Sequence, residues 1–222
     1  LFTLDRYERF LAECFFRRGV PNAFREMPRA LRIATHDVDS GECVVFGAEG
    51  HDDIPVSLAC AASLASPLFF SPVRIGHRHF IDGGLGHVAH LDIAVEMGVD
   101  FAIVLNPMVP ISVDRRAVPT GHGIRESIRD KGLFWVQNQA TRIGAHVRLL
   151  QHVEEIRRKT KMMVLVLEPE PTDVLMFLHN PANLAARRAI LEVAYRTTRD
   201  RIEAWMGRNR DVVERLGWER AE

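Results

Sequence analysis

Asp82 ends a short stretch, Arg78-His79-Phe80-Ile81, and is followed at once by Gly83 and Gly84. A carboxylate with an ordinary pKa near ~4 is ionised at neutral pH and can take a proton from a hydroxyl held against it. Two residues without a β-carbon let the backbone turn sharply behind that carboxylate. In open α/β sheets, ligands sit beyond the carboxyl ends of the strands. Asp82 is therefore a candidate general base, with Gly83 and Gly84 as its supporting motif. Taken alone, Asp-Gly is more often a turn dipeptide, so the surrounding elements must decide.

Other residues nearby invite chemistry. His77, His79, His87 and His90 flank Asp82. Residues two apart on a strand share a face, so His77 and His79 with Asp82 form a conceivable metal set. Such sites need three or four convergent ligands and an outer shell, and solvated histidines at a hairpin edge are the plainer reading. No metal and no cofactor is assigned. Ser63 and Ser66 lie near the motif but not in a nucleophile elbow, and helix packing and helix termination account for them. His36-Asp37 resembles half of a catalytic triad, and a strand-end turn accounts for it.

The elements that must position Asp82 follow from pattern. Leu4, Leu11, Phe15 and Phe16 recur at helical spacing, which predicts a first helix ending near Gly19-Val20-Pro21. Leu31 to Thr35 and Cys43 to Phe46 read as strands, and Asp39-Ser40-Gly41 between them makes a hairpin. Pro55 opens a small-residue helix over 56–64, which Ser66-Pro67 ends. Short strands at Val73 to Ile75 and Arg78 to Ile81 flank Gly76. A helix over 89–97 stops at Gly98, a glycine C-cap. The runs 101–105 and 162–167 are continuously apolar, as suits strands of a parallel sheet buried on both faces. Between them stand a Pro/Gly-marked loop, Pro107 to Gly123, and a long helical stretch to about Arg158. After Pro181 a last long helix turns Ile190, Ala194, Ile202 and Met206 toward the core, and the charged tail from Arg208 reads as a frayed helix. Strands alternating with helices predict an α/β layered sheet.

Composition bounds the rest. The chain has 222 residues, 47% apolar and 26% charged, which suits one soluble domain. Lys+Arg and Asp+Glu are 29 each, so net charge gives no reason to expect a nucleic-acid partner. Cys14, Cys43 and Cys60 form neither a disulfide framework nor a zinc module. No apolar run is long enough to span a bilayer. No signal-peptide pattern opens the chain. Localisation is left open, with a cytoplasmic or peripheral-membrane setting expected. The chain begins with Leu1 inside a running helical pattern, from which a missing N-terminal segment is expected.

The ordered set Ala62-Ser63-Leu64-Ala65-Ser66-Pro67-Leu68-Phe69, Pro72-Val73, Phe80-Ile81-Asp82-Gly83-Gly84-Leu85, Ala94, Gly98-Val99-Asp100 and the strand ending at Asn106 resembles the patatin-like phospholipase family. Ala34-Thr35-His36-Asp37 and Ser40-Gly41-Glu42 before Val44-Val45-Phe46 are similar too, and the resemblance runs over roughly 21–107. It implies a layered α/β/α sandwich with a mostly parallel central sheet, here N-terminally truncated. The 222 residues would be the C-terminal part of a single such domain, with 170–222 a helical extension. It further implies a lipid acyl hydrolase working through a Ser–Asp dyad, with Asp82 as base and no catalytic histidine. The serine of a Gly-x-Ser-x-Gly elbow and a Gly-rich oxyanion loop would complete the site. Neither occurs in the chain, which on this reading is inactive alone. The family's Asn and Pro after Asp-Gly-Gly are replaced by Val88 and His90. The expected partner is a lipid or other ester, met through peripheral membrane contact. Two surfaces are candidates for that contact: the Pro107 to Gly123 loop, with Met108, Val109 and Ile111, and the face of the last helix bearing Trp205 and Met206, for which core packing is the commoner explanation. The rival readings are a non-catalytic lipid- or protein-binding module on the same scaffold, and a metal-dependent hydrolase using the histidines.

Overall fold

The computed structural model describes residues 2–86, 88–112, 127–170 and 186–218. His87, the part 113–126 of the loop read above as a lid, and 171–185 at the approach to the last helix lie outside the described residues. The chain divides into two compact units, Leu1–His90 and Leu91–Glu222.

The first unit begins with helix α1, Asp5–Arg17. Asp5 and Glu8 in its first turn and Arg17 in its last suit the helix dipole. Strands β1, Ile33–Asp37, and β2, Cys43–Phe46, form the expected hairpin, with Ile33 opposite Phe46 and Thr35 opposite Val44. Helix α2, Val56–Ser63, follows. Strands β3, Val73–Ile75, and β4, Arg78–Asp82, then close around Gly76, whose φ of +63° is the left-handed value such a turn needs. The sheet order is β2-β1-β4-β3, and every pairing is antiparallel. This departs from the mostly parallel sheet expected. A two-residue connection such as Gly76-His77 can only join antiparallel neighbours. Ala59 and Ala62 of α2 bring the helix axis close to the sheet, against Val44, Phe46 and Phe80. Phe46 and Phe80 meet edge to face at 5.2 Å. Leu4, just before α1, packs on Ala61 of α2 and on Ala65 just after it.

The second unit opens with α3, Leu91–Glu96, ended by Gly98 at φ +70°. The two apolar runs become β5, Phe101–Leu105, and β6, Met163–Leu167, paired in parallel from Phe101 opposite Met163 to Leu105 opposite Leu167. Parallel neighbours need a long crossover, which here contains α4, Leu133–Lys159. Ala145, Leu149, Val153 and Ile156 form the buried stripe of α4. The expectation that both strands are buried on both faces holds for β6 better than for β5, where Ile103 is half exposed and Leu105 is 72% exposed. Helix α5, Ala186–Arg208, and helix α6, Arg210–Leu216, complete the unit. The tail is thus regular helix through Leu216, capped by Gly217 at φ +65°. Phe101 holds both helices through Trp205 at 5.5 Å and Trp218 at 5.3 Å. Trp205 is partly buried, with its ring against Phe101 and Trp218, which accords with the packing explanation of that face. None of the described helices is long and apolar enough to cross a membrane.

Candidate active site around Asp82

Asp82 is the last residue of β4 and lies opposite Thr35 of β1. Strand pleat puts it on the same face as Phe80, the face that α2 covers. Its backbone N–H donates to the Ala65 carbonyl at 3.2 Å, just past the end of α2. Helix end and strand end therefore meet at this residue. The Asp82 side chain is partly buried. Its Oδ1 accepts from the Gly84 N–H at 2.9 Å. Among the described residues no donor engages Oδ2. One carboxylate oxygen is anchored and the other keeps its lone pairs, as a proton acceptor requires.

The glycines behind it are dictated by space. A β-carbon on Gly83 would stand 2.2 Å from the Ala34 carbonyl oxygen, and one on Gly86 would stand 2.4 Å from His36 Nε2. Gly84 is more open, its nearest neighbour being Asp82 Oδ1 at 3.3 Å. The loop closes with His90 Nε2 donating to the Gly83 carbonyl at 3.0 Å.

The metal reading does not survive the pleat. His79 and Asp82 are an odd number of residues apart on β4, so they project from opposite faces of the sheet. Among the described residues no three His, Cys, Asp or Glu side chains group as metal ligands. Asp37 is structural. It pairs with Arg78, whose guanidinium also reaches Glu42 at 3.2 Å and stacks over Phe80 at 5.3 Å. Its Oδ1 accepts from the Asp39 and Ser40 N–H groups at 2.8 and 3.0 Å. The Arg78 hydrogen bond, reinforced by those N–H groups, holds the carboxyl at about 2, below the ordinary 3.8. Ser63 sits within α2, and Ser66 turns the chain by accepting from the Phe69 and Phe70 N–H groups through its carbonyl.

Two polar groups escaped the sequence reading. Ser57 is fully buried in α2, donating to Glu8 Oε1 at 2.6 Å and accepting from Asn22 Nδ2 at 2.9 Å. This joins α1 to α2, and burial removes it from substrate. At the carboxyl ends of β5 and β6, Asn106 donates to Glu168 Oε1 at 2.7 Å, with His146 Nδ1 3.2 Å from the same oxygen. A cavity of about 230 Å³ lies beside them. The signal was available, since each apolar run ends in a polar residue and then a proline. Of the loop proposed as a lid, only 107–112 falls within the described residues. Val109 and Ile111 are 1% and 4% exposed. Gln139 of α4 clamps the Ile111 backbone with bonds of 2.9 and 2.8 Å, and Arg142 donates to the Val109 carbonyl at 3.1 Å. Val109 and Ile111 are thus core residues, whereas Met108 is partly exposed.

Compared with known proteins, residues 1–95 match the family model described as patatin-like phospholipase. The matched stretch takes in the whole first unit, Asp82 included, and the start of α3. No curated protein matches the chain.

Proposed function

We propose that this chain, with a patatin-like phospholipase match over residues 1–95, carries the general base of a lipid acyl hydrolase. In this reading Asp82 Oδ2 accepts the proton of a serine hydroxyl as the serine oxygen bonds to an ester carbonyl carbon. As the tetrahedral intermediate collapses, the protonated carboxyl returns that proton to the departing alcohol. A water molecule then repeats the cycle on the acyl-enzyme, releasing the carboxylic acid and restoring the serine. The substrate class is a glycerolipid or phospholipid ester, met at a membrane surface. The serine comes from polypeptide outside these 222 residues, since no Gly-x-Ser-x-Gly occurs within them. On the same reading the two units are parts of one layered patatin-like domain.

The observation that supports this best is the state of the Asp82 carboxylate. It stands at a strand end, fixed by the Gly84 N–H through Oδ1, with no donor on Oδ2 among the described residues. In a preparation that includes the nucleophile, Asp82→Asn is expected to lower ester turnover by about 10²–10⁴-fold without loss of fold. Full activity in that variant would make Asp82 a turn residue. The absence of an elbow serine in the chain favours one second reading, a non-catalytic lipid-binding module on the same scaffold. Lipid binding with no turnover in any preparation would select it.

A further inference from the structure

The dyad chemistry uses no histidine, yet one histidine closes the turn behind the proposed base. Gly83 and Gly84 share a peptide plane. Its carbonyl accepts from His90 Nε2 at 3.0 Å, and its N–H donates to Asp82 Oδ1 at 2.9 Å. A peptide unit is rigid and planar, so fixing one end fixes the other. With glycine on both sides, the same plane has unusual freedom to rotate when nothing holds it. A rotation that turned the N–H away would release the carboxylate.

The backbone is bent to make this contact. Gly83 is wedged against the Ala34 carbonyl and Gly86 against the His36 ring, so the loop has no slack toward β1. The chain then returns through Ala89 at φ +69° and His90 at φ +40°. Residues with a β-carbon avoid that region, and they stay in it only where their surroundings hold them there. Since a carbonyl can only accept, His90 Nε2 must carry the ring proton. We infer that His90 is a positioning residue for Asp82, locking the Gly83–Gly84 peptide so that its N–H stays on Oδ1 and leaves Oδ2 free. Its meaning for catalysis rests on Asp82 being the base; the clamp itself does not.

Amide hydrogen exchange on this chain tests the clamp. His90→Ala is expected to speed exchange at Gly84 about tenfold or more, while Thr35 and His36 in β1 keep wild-type rates. His90→Gln, which keeps an N–H donor of similar reach, is expected to restore Gly84 protection. Unchanged Gly84 exchange in His90→Ala, or no rescue by His90→Gln, overturns the inference. Should His90→Ala unfold, the wild-type ring still answers by ¹⁵N NMR: the Nε2–H tautomer is expected, and Nδ1–H overturns the clamp. None of these readouts depends on turnover, so they separate the clamp from the dyad. In an ester-hydrolysing preparation, His90→Ala is expected to lower kcat with KM unchanged. Loss of turnover in His90→Ala alone, with Asp82→Asn fully active, would keep the histidine and sink the base.

Discussion

Gly83 has no room for a side chain, because its missing β-carbon would fall 2.2 Å from the backbone oxygen of Ala34. Backbone cannot rotate out of the way as a side chain can. Gly83→Ala is therefore expected to push β4 from β1 and cost about 2 kcal/mol, read as a lowered urea midpoint. An unchanged midpoint would mean that the end of β1 yields freely. Asp37 makes a different argument, from charge. Its folded-state pKa of about 2 lies below the ordinary 3.8, so its ionised form stabilises the fold. That contribution is present above the ordinary value and disappears as pH falls through about 2. Wild type is expected to exceed Asp37→Asn in denaturation midpoint at pH 6. The gap should close between roughly pH 4 and 2, where the carboxyl becomes neutral in both states. A gap independent of pH would assign the effect to packing.

At the scale of elements, α2 and α4 solve the same problem with different side chains. Helix α2 uses alanine, so its axis comes close to the antiparallel sheet, and Ala65 at its end can accept from the Asp82 N–H. Helix α4 uses larger residues at heptad-like spacing, with Leu149 fully buried at the centre. Leu149→Ala is expected to cost about 3 kcal/mol, since the lost methyl groups leave a cavity in a close-packed site. Thermal unfolding would show it, and a loss under 1 kcal/mol would mean that α4 settles into the gap. Gln139 ties the loop after β5 to α4 through two backbone bonds, which replace the pairing that an irregular segment lacks.

For the molecule as a whole, balanced charge leaves recognition to shape and local chemistry, with 29 basic and 29 acidic residues. The proposed dyad gives a whole-molecule outcome that a fluorophosphonate probe can read. The 222-residue chain is expected to stay unlabelled, because the one serine hydrogen-bonded to a carboxylate among the described residues, Ser57, is fully buried. A longer product of the same gene bearing a Gly-x-Ser-x-Gly is expected to be labelled. Stoichiometric labelling of the short chain would place the nucleophile inside it and overturn the division of the dyad.

Local chemistry was legible in the sequence. Asp39-Ser40-Gly41, Gly76, Gly98 and the small-residue helix after Pro55 each act within a few residues, so these turns, caps and strand limits fall close to where their residue types put them. The motif Asp82-Gly83-Gly84 was legible for the same reason. Pairing direction was less so, because an apolar run has the same composition in either sheet and only the connection length decides. Exposure of β5 and burial of Val109 and Ile111 depend on which distant element arrives, α4 in the second case, and no local pattern records that. Tertiary structure alone decided that the Ala34 oxygen forbids a side chain at residue 83 and that His90 reaches back to the peptide holding Asp82. Each of these is a contact across a turn or between strands, set in three dimensions by hydrogen bonds and excluded volume.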